Sequence, residues 1–281
     1  MAHCLTPEAE AILDKEFPVL DKGFVRLVDY LGGDERVVQS ARVSYGEGTK
    51  SYREDAALID YLMRNTHTSP FEQVVLTFHV KLPIFIARQW IRHRTARLNE
   101  ISGRYSVMKD DFYVPAPEDM AEQSADNKQG RSSKAMVPEQ AEKIRAAFAE
   151  GQKRSYEEYS SLVEEGLARE LARINLPLSL YTEWYWQIDL HNLFHFLQLR
   201  LDAHAQKEIR LYAQVLFEIA KNVAPRCCRS FEQHVLGGVR FSDDEMTELR
   251  KRLGGDKPAR DELSGKALER FEEKLKTGRQ L

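Results

Sequence analysis

The chain has 281 residues, with 41 Lys and Arg against 44 Asp and Glu, giving a formal charge of −3. Hydrophobic residues make up 42% and charged residues 30%, the mixture of a soluble globular protein long enough to bury a core without metal or disulfide staples. A near-neutral balance excludes a general electrostatic field for nucleic acid or an anionic membrane. The three cysteines, Cys4 and the adjacent Cys227 and Cys228, are too few for a disulfide framework and fit a reducing compartment. The opening residues lack the charged-then-apolar layout of a signal peptide. The most apolar stretch, 74–91, is broken by His79, Lys81 and Pro83, so no membrane span is expected and the expected location is cytoplasmic.

In chain order, alternation over residues 23–31 predicts a strand, and apolar recurrence at three and four predicts helices over 36–44 and 55–65. Residues 71–81, rich in β-branched and aromatic side chains, predict a second strand. Pro83 suits the first turn of a helix expected to run to about Leu98. Polar residues interrupted by Pro and Gly predict a surface loop over 117–138, followed by mostly helical structure from Ala141 to Leu171. Aromatic residues and Thr over 181–188 predict a strand, after which Asp189 can cap a helix over 191–201. A further helix over 205–223 stops at Pro225, Cys227 and Cys228 fall in an expected turn, and beyond Phe241 a charged helical tail is expected. The expected organisation is one domain over 1–240 and a tail over 241–281. No βαβ alternation and no glycine-rich phosphate fingerprint appear, so the class is α+β rather than a dinucleotide-binding doubly wound fold.

The most informative stretch is 87–105, ARQWIRHRTARLNEISGRY, where five Arg and one Glu between 88 and 104 give a local charge of about +4 in a chain of −3. Gln, Asn, Glu and Ser are mixed among these arginines. Gly103 is expected to take an unusual backbone angle. Such density suits a phosphate-bearing small molecule better than a polyanion, which would need basic residues spread along the surface. Ion pairs to distant carboxylates are the alternative.

Arg92-His93-Arg94, followed after seven residues by Ser102-x-Arg104-Tyr105, resembles the signature of the flavin-dependent thymidylate synthases. DKGFVRLVDYLG (21–32), ARVSY (41–45), THTSPFE (66–72), FHVKLPIFIARQW (78–90), RELARINLPLSLYT (169–182) and FLQLRLDAHAQKEI (196–209) resemble segments of the same family, in the family's order. Arg97 stands where the family usually has Ser. The resemblance implies an α+β fold with helices around an antiparallel-rich sheet, assembled as a homotetramer with FAD clamped between subunits. It also implies conversion of dUMP to dTMP, with 5,10-methylenetetrahydrofolate as carbon donor and FAD reduced by NADPH as hydride source.

By that resemblance the dUMP site comprises Gln89, Trp90, Ile91, Arg92, Glu100, Ile101, Ser102, Gly103, Arg104, Arg173 and Arg200. Arg200 and Ser102 would be the residues nearest the chemistry. Ser69, Arg92, His93, Arg94, Glu100, Asp189, Leu190, His191 and His195 would hold FAD, with Ser44, His67 and Glu72 as further positions. Arg200 would set a cation against the N3/O2 edge of uracil, where negative charge develops. Ser102 is expected to orient the ring rather than attack it, because a nucleophilic serine needs an adjacent base. No metal, nucleic-acid or membrane partner is expected. Two other readings remain at the level of sequence. His191 and His195 have the i, i+4 spacing of zinc ligands, with Asp202 and His204 as possible additions, but Asn192 stands where a zinc protease has its general-base Glu. The Arg88–Arg104 stretch is also compatible with an oligonucleotide-binding module.

Overall fold

The computed structural model describes residues 5–45, 52–125, 130–254 and 265–278. The chain divides into two compact units, Met1–Thr49 with Thr68–Ala224 and Lys50–His67 with Pro225–Leu281. Their elements run, in chain order, as α1 (Pro7–Glu10), β1 (Glu16–Val19), β2 (Gly23–Leu31), α2 (Asp34–Ala41), α3 (Tyr52–Arg64), β3 (Val75–Pro83), α4 (Ile84–Trp90) and β4 (Arg97–Glu100). There follow β5 (Ala121–Gln123), β6 (Arg131–Ala135), α5 (Pro138–Glu164), α6 (Arg169–Ala172), β7 (Tyr181–Asp189), α7 (Leu190–Arg200), α8 (Lys207–Val223), α9 (Pro225–Phe231), α10 (Asp243–Arg252) and α11 (Gly265–Thr277).

The first unit is built on a five-stranded antiparallel sheet in the order β1-β2-β3-β7-β4. The alternation legible in β2 and β3 turns Val25, Leu27, Leu76, Phe78 and Val80 to one face, where they are buried. Trp184, Trp186 and Ile188 of β7 continue that face. Helices α7 and α8 cover it with Leu193, Phe196, Ile209, Tyr212 and Leu216. Trp90, at the end of α4, fills the centre. Its ring centroid lies 5.6 Å from Trp184, 5.1 Å from Trp186, 4.9 Å from Phe196 and 5.9 Å from Tyr212. A smaller cluster of Met108, Phe112, Tyr159, Ala172 and Leu180 forms against α5. It is fastened by the Met108 N–H, which donates to Tyr159 Oη at 2.9 Å, and by Tyr156 Oη, which donates to the Met108 carbonyl at 3.0 Å.

Several expectations are corrected. The helix beginning after Pro83 ends at Trp90, not near Leu98. One tight turn follows, with Arg92 N–H donating to the Gln89 carbonyl and His93 N–H to the Trp90 carbonyl. Residues 97–100 then pair as β4 with the free edge of β7, and that non-local ladder outweighs local helical preference. The expected loop over 117–138 instead contains the β5–β6 hairpin, with 126–129 outside the described residues. Its strands are too polar to betray themselves by alternation. The expected helix over 36–44 spans Asp34–Ala41 and gives way to a 3-10 turn, Arg42–Tyr45; the strand expected from Phe71 starts at Val75 after a 3-10 turn.

In the second unit, Pro225 opens α9, and the buried Cys227 and Cys228 lie on that helix and not in the expected turn. Cys4 lies outside the described residues. The charged tail forms α10 and α11, the first started by a capping box between Ser242 and Glu245. Lys274 Nζ reaches both Glu245 carboxylate oxygens, at 2.7 and 2.8 Å, in a buried pair that ties the two helices.

Truncating Trp90 removes the side chain common to these four aromatic contacts. Trp90→Ala is expected to destabilise the chain by roughly 3–5 kcal/mol, read as a lower denaturant midpoint at unchanged slope.

Candidate active site

The candidate residues gather around the end of α4 and the edge strand β4. The turn after Trp90 carries Arg92, His93 and Arg94, and it packs against α7. His93 lies with its ring centroid 4.8 Å from Phe196 and 5.9 Å from His195, and its Nε2 accepts a hydrogen bond from Arg200 Nε at 3.0 Å. The two residues are 107 positions apart, so the pair is a product of the fold. Burial, then the Arg200 cation, then His195 lower the His93 pKa to about 4. His93 is therefore neutral near pH 7, with its proton on Nδ1 because Nε2 is the acceptor. Burial also lowers the Arg200 pKa from its ordinary value. With Nε committed to His93, the two Nη groups of Arg200 remain as donors.

A second group forms where the chain leaves β4. Gly103 is needed for close approach and not for backbone angle: its φ is not positive, and an added Cβ would lie 2.8 Å from Met108 Sδ, 3.1 Å from Arg173 Cδ and 3.2 Å from Arg173 Nη1. Ser102 Oγ accepts from the Arg104 N–H at 3.3 Å. Arg104 Nε donates to Glu170 at 3.0 Å, and Arg169 donates to the Tyr105 carbonyl at 2.8 Å, so α6 and the turn after it are laced to residues 102–105. Neither local base is committed to Ser102. His93 Nε2 is taken by Arg200, and Glu100 Oε1 accepts from Thr182 Oγ1 at 2.6 Å. Glu170 and Thr182 are supporting residues that the sequence did not single out; their pairing depends on tertiary register, for which it carries no local signal.

The remaining candidates are placed as follows. Gln89 is hydrogen-bonded to Gln206 at the start of α8. Trp90 and Leu190 are core residues, whereas Ile91 and Ile101 are partly exposed. Asp189 caps α7, accepting from the Asn192 N–H at 2.9 Å and from Asn192 Nδ2 at 2.7 Å. Exposed Ser69 and Glu72 flank Phe71, whose ring packs on Phe194 of α7 at 6.3 Å, so they stand beside the helix bearing His191 and His195. His67 belongs to the second unit, where its ring meets Tyr61 edge-on at 5.6 Å. The Ser44 side chain lies outside the described residues. Arg97 donates to Gln187 at 3.3 Å across the β4–β7 pair. Among the described residues, no three His, Cys, Asp or Glu side chains group as metal ligands, and His204 is instead bonded to Asp202 at 2.8 Å.

The charge pattern decides what such a site suits. Among the described residues, the side chains of Arg88, Arg92, Arg94 and Arg173 form no ion pair or hydrogen bond with the protein. Cations left without carboxylates beside a half-buried neutral imidazole suit anionic groups from outside the chain, phosphates above all.

The fold is that of the thymidylate synthase complementing proteins, whose family model matches residues 26–226; a model of the thymidylate synthase ThyX C-terminal domain matches 239–281. The chain is 66% identical over 269 residues to a flavin-dependent thymidylate synthase of Treponema denticola, covering 96% of this chain and all of that one. It is 61% identical to the enzyme of that name from Treponema pallidum, covering 100% of this chain and 91% of that one. A crystal structure of the UMP/dUMP methylase PolB from Streptomyces cacaoi, bound with 5-Br dUMP, superposes with a TM-score of 0.71 at 32% identity, over 78% of this chain and 98% of that one. The chain belongs to the flavin-dependent thymidylate synthase family.

His93 supplies a test of the site's electrostatics. Its pKa falls from an ordinary value near 6.5 to about 4 on folding, so between those values the unfolded chain binds the proton and the native chain does not. Stability therefore drops on acidification through that window. His93→Gln keeps an acceptor for Arg200 but cannot titrate, and its melting temperature is expected to fall less than that of the wild type between pH 7.5 and about pH 4. Parallel curves would refute the buried neutral imidazole.

Proposed function

We propose that this chain converts dUMP to dTMP, taking the one-carbon unit from 5,10-methylenetetrahydrofolate and the hydride from NADPH by way of FAD. The observation that carries this reading is the set of unpaired arginines around the Arg92-His93-Arg94 turn, next to the Arg200–His93 hydrogen bond. Family membership and the likeness to a methylase holding a dUMP analogue support it. The reaction moves a methylene to uracil C5, releases the C5 proton and adds the nicotinamide hydride, so folate leaves at the tetrahydro level.

The residues fit both anionic ligands. Arg173, held against the side-chain-free Gly103, and Arg104 would meet the dUMP phosphate, which carries close to two negative charges. Glu100 and Ser102 would orient the nucleotide, and Gln89 would add an amide to the same site. Arg92, Arg94 and the Nδ1–H of His93 would hold the FAD pyrophosphate, with Ser69 beside α7 and Asp189, His191 and His195 along it lining the rest, over the buried Leu190. Bound FAD supplies two-electron hydride chemistry. The chain's own contribution to the chemical step is Arg200, whose Nη donors would stabilise charge on the N3/O2 edge as C5 becomes nucleophilic. Neutral His93 leaves that cation undivided, because it accepts a hydrogen bond from Arg200 without cancelling its charge.

The chain is read as one α+β domain through residue 240 with a charged helical tail over 241–281, a division supported by the C-terminal family model beginning at 239. It would work as a cytoplasmic homotetramer with FAD held between subunits. Cys227 and Cys228, buried and not joined in a disulfide, suit a reducing compartment, and no described helix is long and apolar enough to cross a membrane.

Two experiments test the reading. The purified protein is expected to be yellow, to bleach with NADPH, and to form dTMP from dUMP, methylenetetrahydrofolate and NADPH. Arg200→Ala should lower turnover by about 10²–10³, and absence of product from the wild type would reject the assignment. Ser102→Ala should keep measurable turnover with weakened dUMP binding; complete loss of turnover with dUMP affinity intact would make Ser102 a nucleophile.

A further inference from the structure

The first unit holds a cavity of about 630 Å³ between α5, the start of α4 and the start of α8. Its walls include Phe85, Tyr113 and Phe148, and Glu208 lines it. Phe85 and Tyr113 form a tilted pair with centroids 5.7 Å apart, and Phe148 is 47% exposed at the rim. Glu208 is only 3% exposed. Its Oε1 accepts from Arg131 Nη2 at 2.5 Å and from Tyr113 Oη at 3.2 Å, but its Oε2 is buried with no hydrogen-bond partner. Burial, followed by the nearby Glu208 and Asp119 carboxylates, raises the Tyr113 pKa, so its hydroxyl stays protonated and its one proton is spent on Oε1, leaving none for Oε2.

A buried carboxylate oxygen without a donor, on a residue lining an aromatic-walled cavity, is costly unless something brings it a donor. A cationic donor is disfavoured, because Arg131 already balances Glu208 and Arg154 also lines the cavity. An anion is disfavoured by the carboxylate itself. The helix wall gives a second, independent observation. Gly151 sits inside the 27-residue α5, where glycine weakens a helix, yet an added Cβ would meet nothing within 4 Å. No packing in the chain requires the missing side chain; what its absence preserves is open space on a wall of the cavity.

We propose that this cavity is a binding site for a neutral, amino-substituted heteroaromatic ring, stacked on its aromatic walls with an N–H donor on Glu208 Oε2. A pteridine and an adenine both offer that chemistry. The site stands on residues separate from the arginine cluster and does not depend on the reaction assigned there.

The test uses the full chain, loaded with flavin and saturated with dUMP so that the probes do not report the arginine site. Pterin and adenosine are each titrated against their oxo counterparts, lumazine and inosine, in which the amine is replaced by an oxygen that faces the carboxylate unfavourably. At least one amine probe is expected to saturate, about tenfold or more tighter than its counterpart, and which one does so identifies the source. Gly151→Leu, whose Cβ enters open space on the cavity wall and which favours the helix, should weaken that binding by about tenfold or more while the melting temperature holds or rises. Glu208→Gln should abolish the amine preference, with far-UV circular dichroism confirming a native fold. The proposal is overturned if neither amine probe saturates below about 1 mM, if amine and oxo probes bind alike, or if Gly151→Leu leaves binding unchanged.

Discussion

The seating of Trp90 against β7 is the constraint on which the site depends. Its indole lies among Trp184, Trp186, Phe196 and Tyr212, joining one strand and two helices through a single side chain. The indole N–H is buried without a partner, as is that of Trp184, so packing must offset both desolvation costs. Because Trp90 is the last residue of α4, anchoring it fixes where the helix stops and where the next residues emerge. The chain has six residues, 91–96, in which to turn before β4 pairs with the edge of β7. Both ends of the Arg92-His93-Arg94 turn are thus held by core packing or by a strand ladder, and the polar residues between them need little organisation of their own.

Electrostatically, the protein keeps two kinds of charged group apart. Outside the site, cations meet carboxylates: Lys81 with Asp111, Arg131 with Glu208, Lys274 with Glu245. Around the turn, Arg88, Arg92 and Arg94 have none among the described residues. A chain with 44 acidic residues could have paired them, so the deficit lies in placement and not in supply. Repulsion among the arginines is reduced because His93 is kept neutral by burial and by Arg200. A protonated His93 would add a further charge to the cluster and remove the acceptor that Arg200 uses.

Much of the fold was legible wherever the determining contacts are local. The alternation of β2, the aromatic run of β7 and the Asp189 cap of α7 each follow from neighbours in sequence, and each formed as read. The end of α4 was not legible, because residues 97–100 are strand only by virtue of an open edge more than 80 positions away. The β5–β6 hairpin was hidden for a related reason: its strands are polar on both faces, and Arg131 reaches Glu208 77 positions on. At the site, the family-like motif named the residues, but it could not show that Gly103 serves close approach to Arg173 or that Thr182 and Glu170 engage Glu100 and Arg104.

The choice of Arg at position 200 follows from the geometry of its neighbours. One nitrogen, Nε, is spent on His93, and the planar guanidinium still presents two further Nη groups whose orientation that bond constrains. A lysine carries its charge and all its donors on a single freely rotating atom, so bonding to His93 would draw the whole charge toward the imidazole. Because the His93 ring is itself wedged against Phe196, the orientation of the guanidinium traces back through His93 to the same aromatic cluster that seats Trp90. The Arg200 cation is therefore positioned by the hydrophobic core, through one neutral histidine.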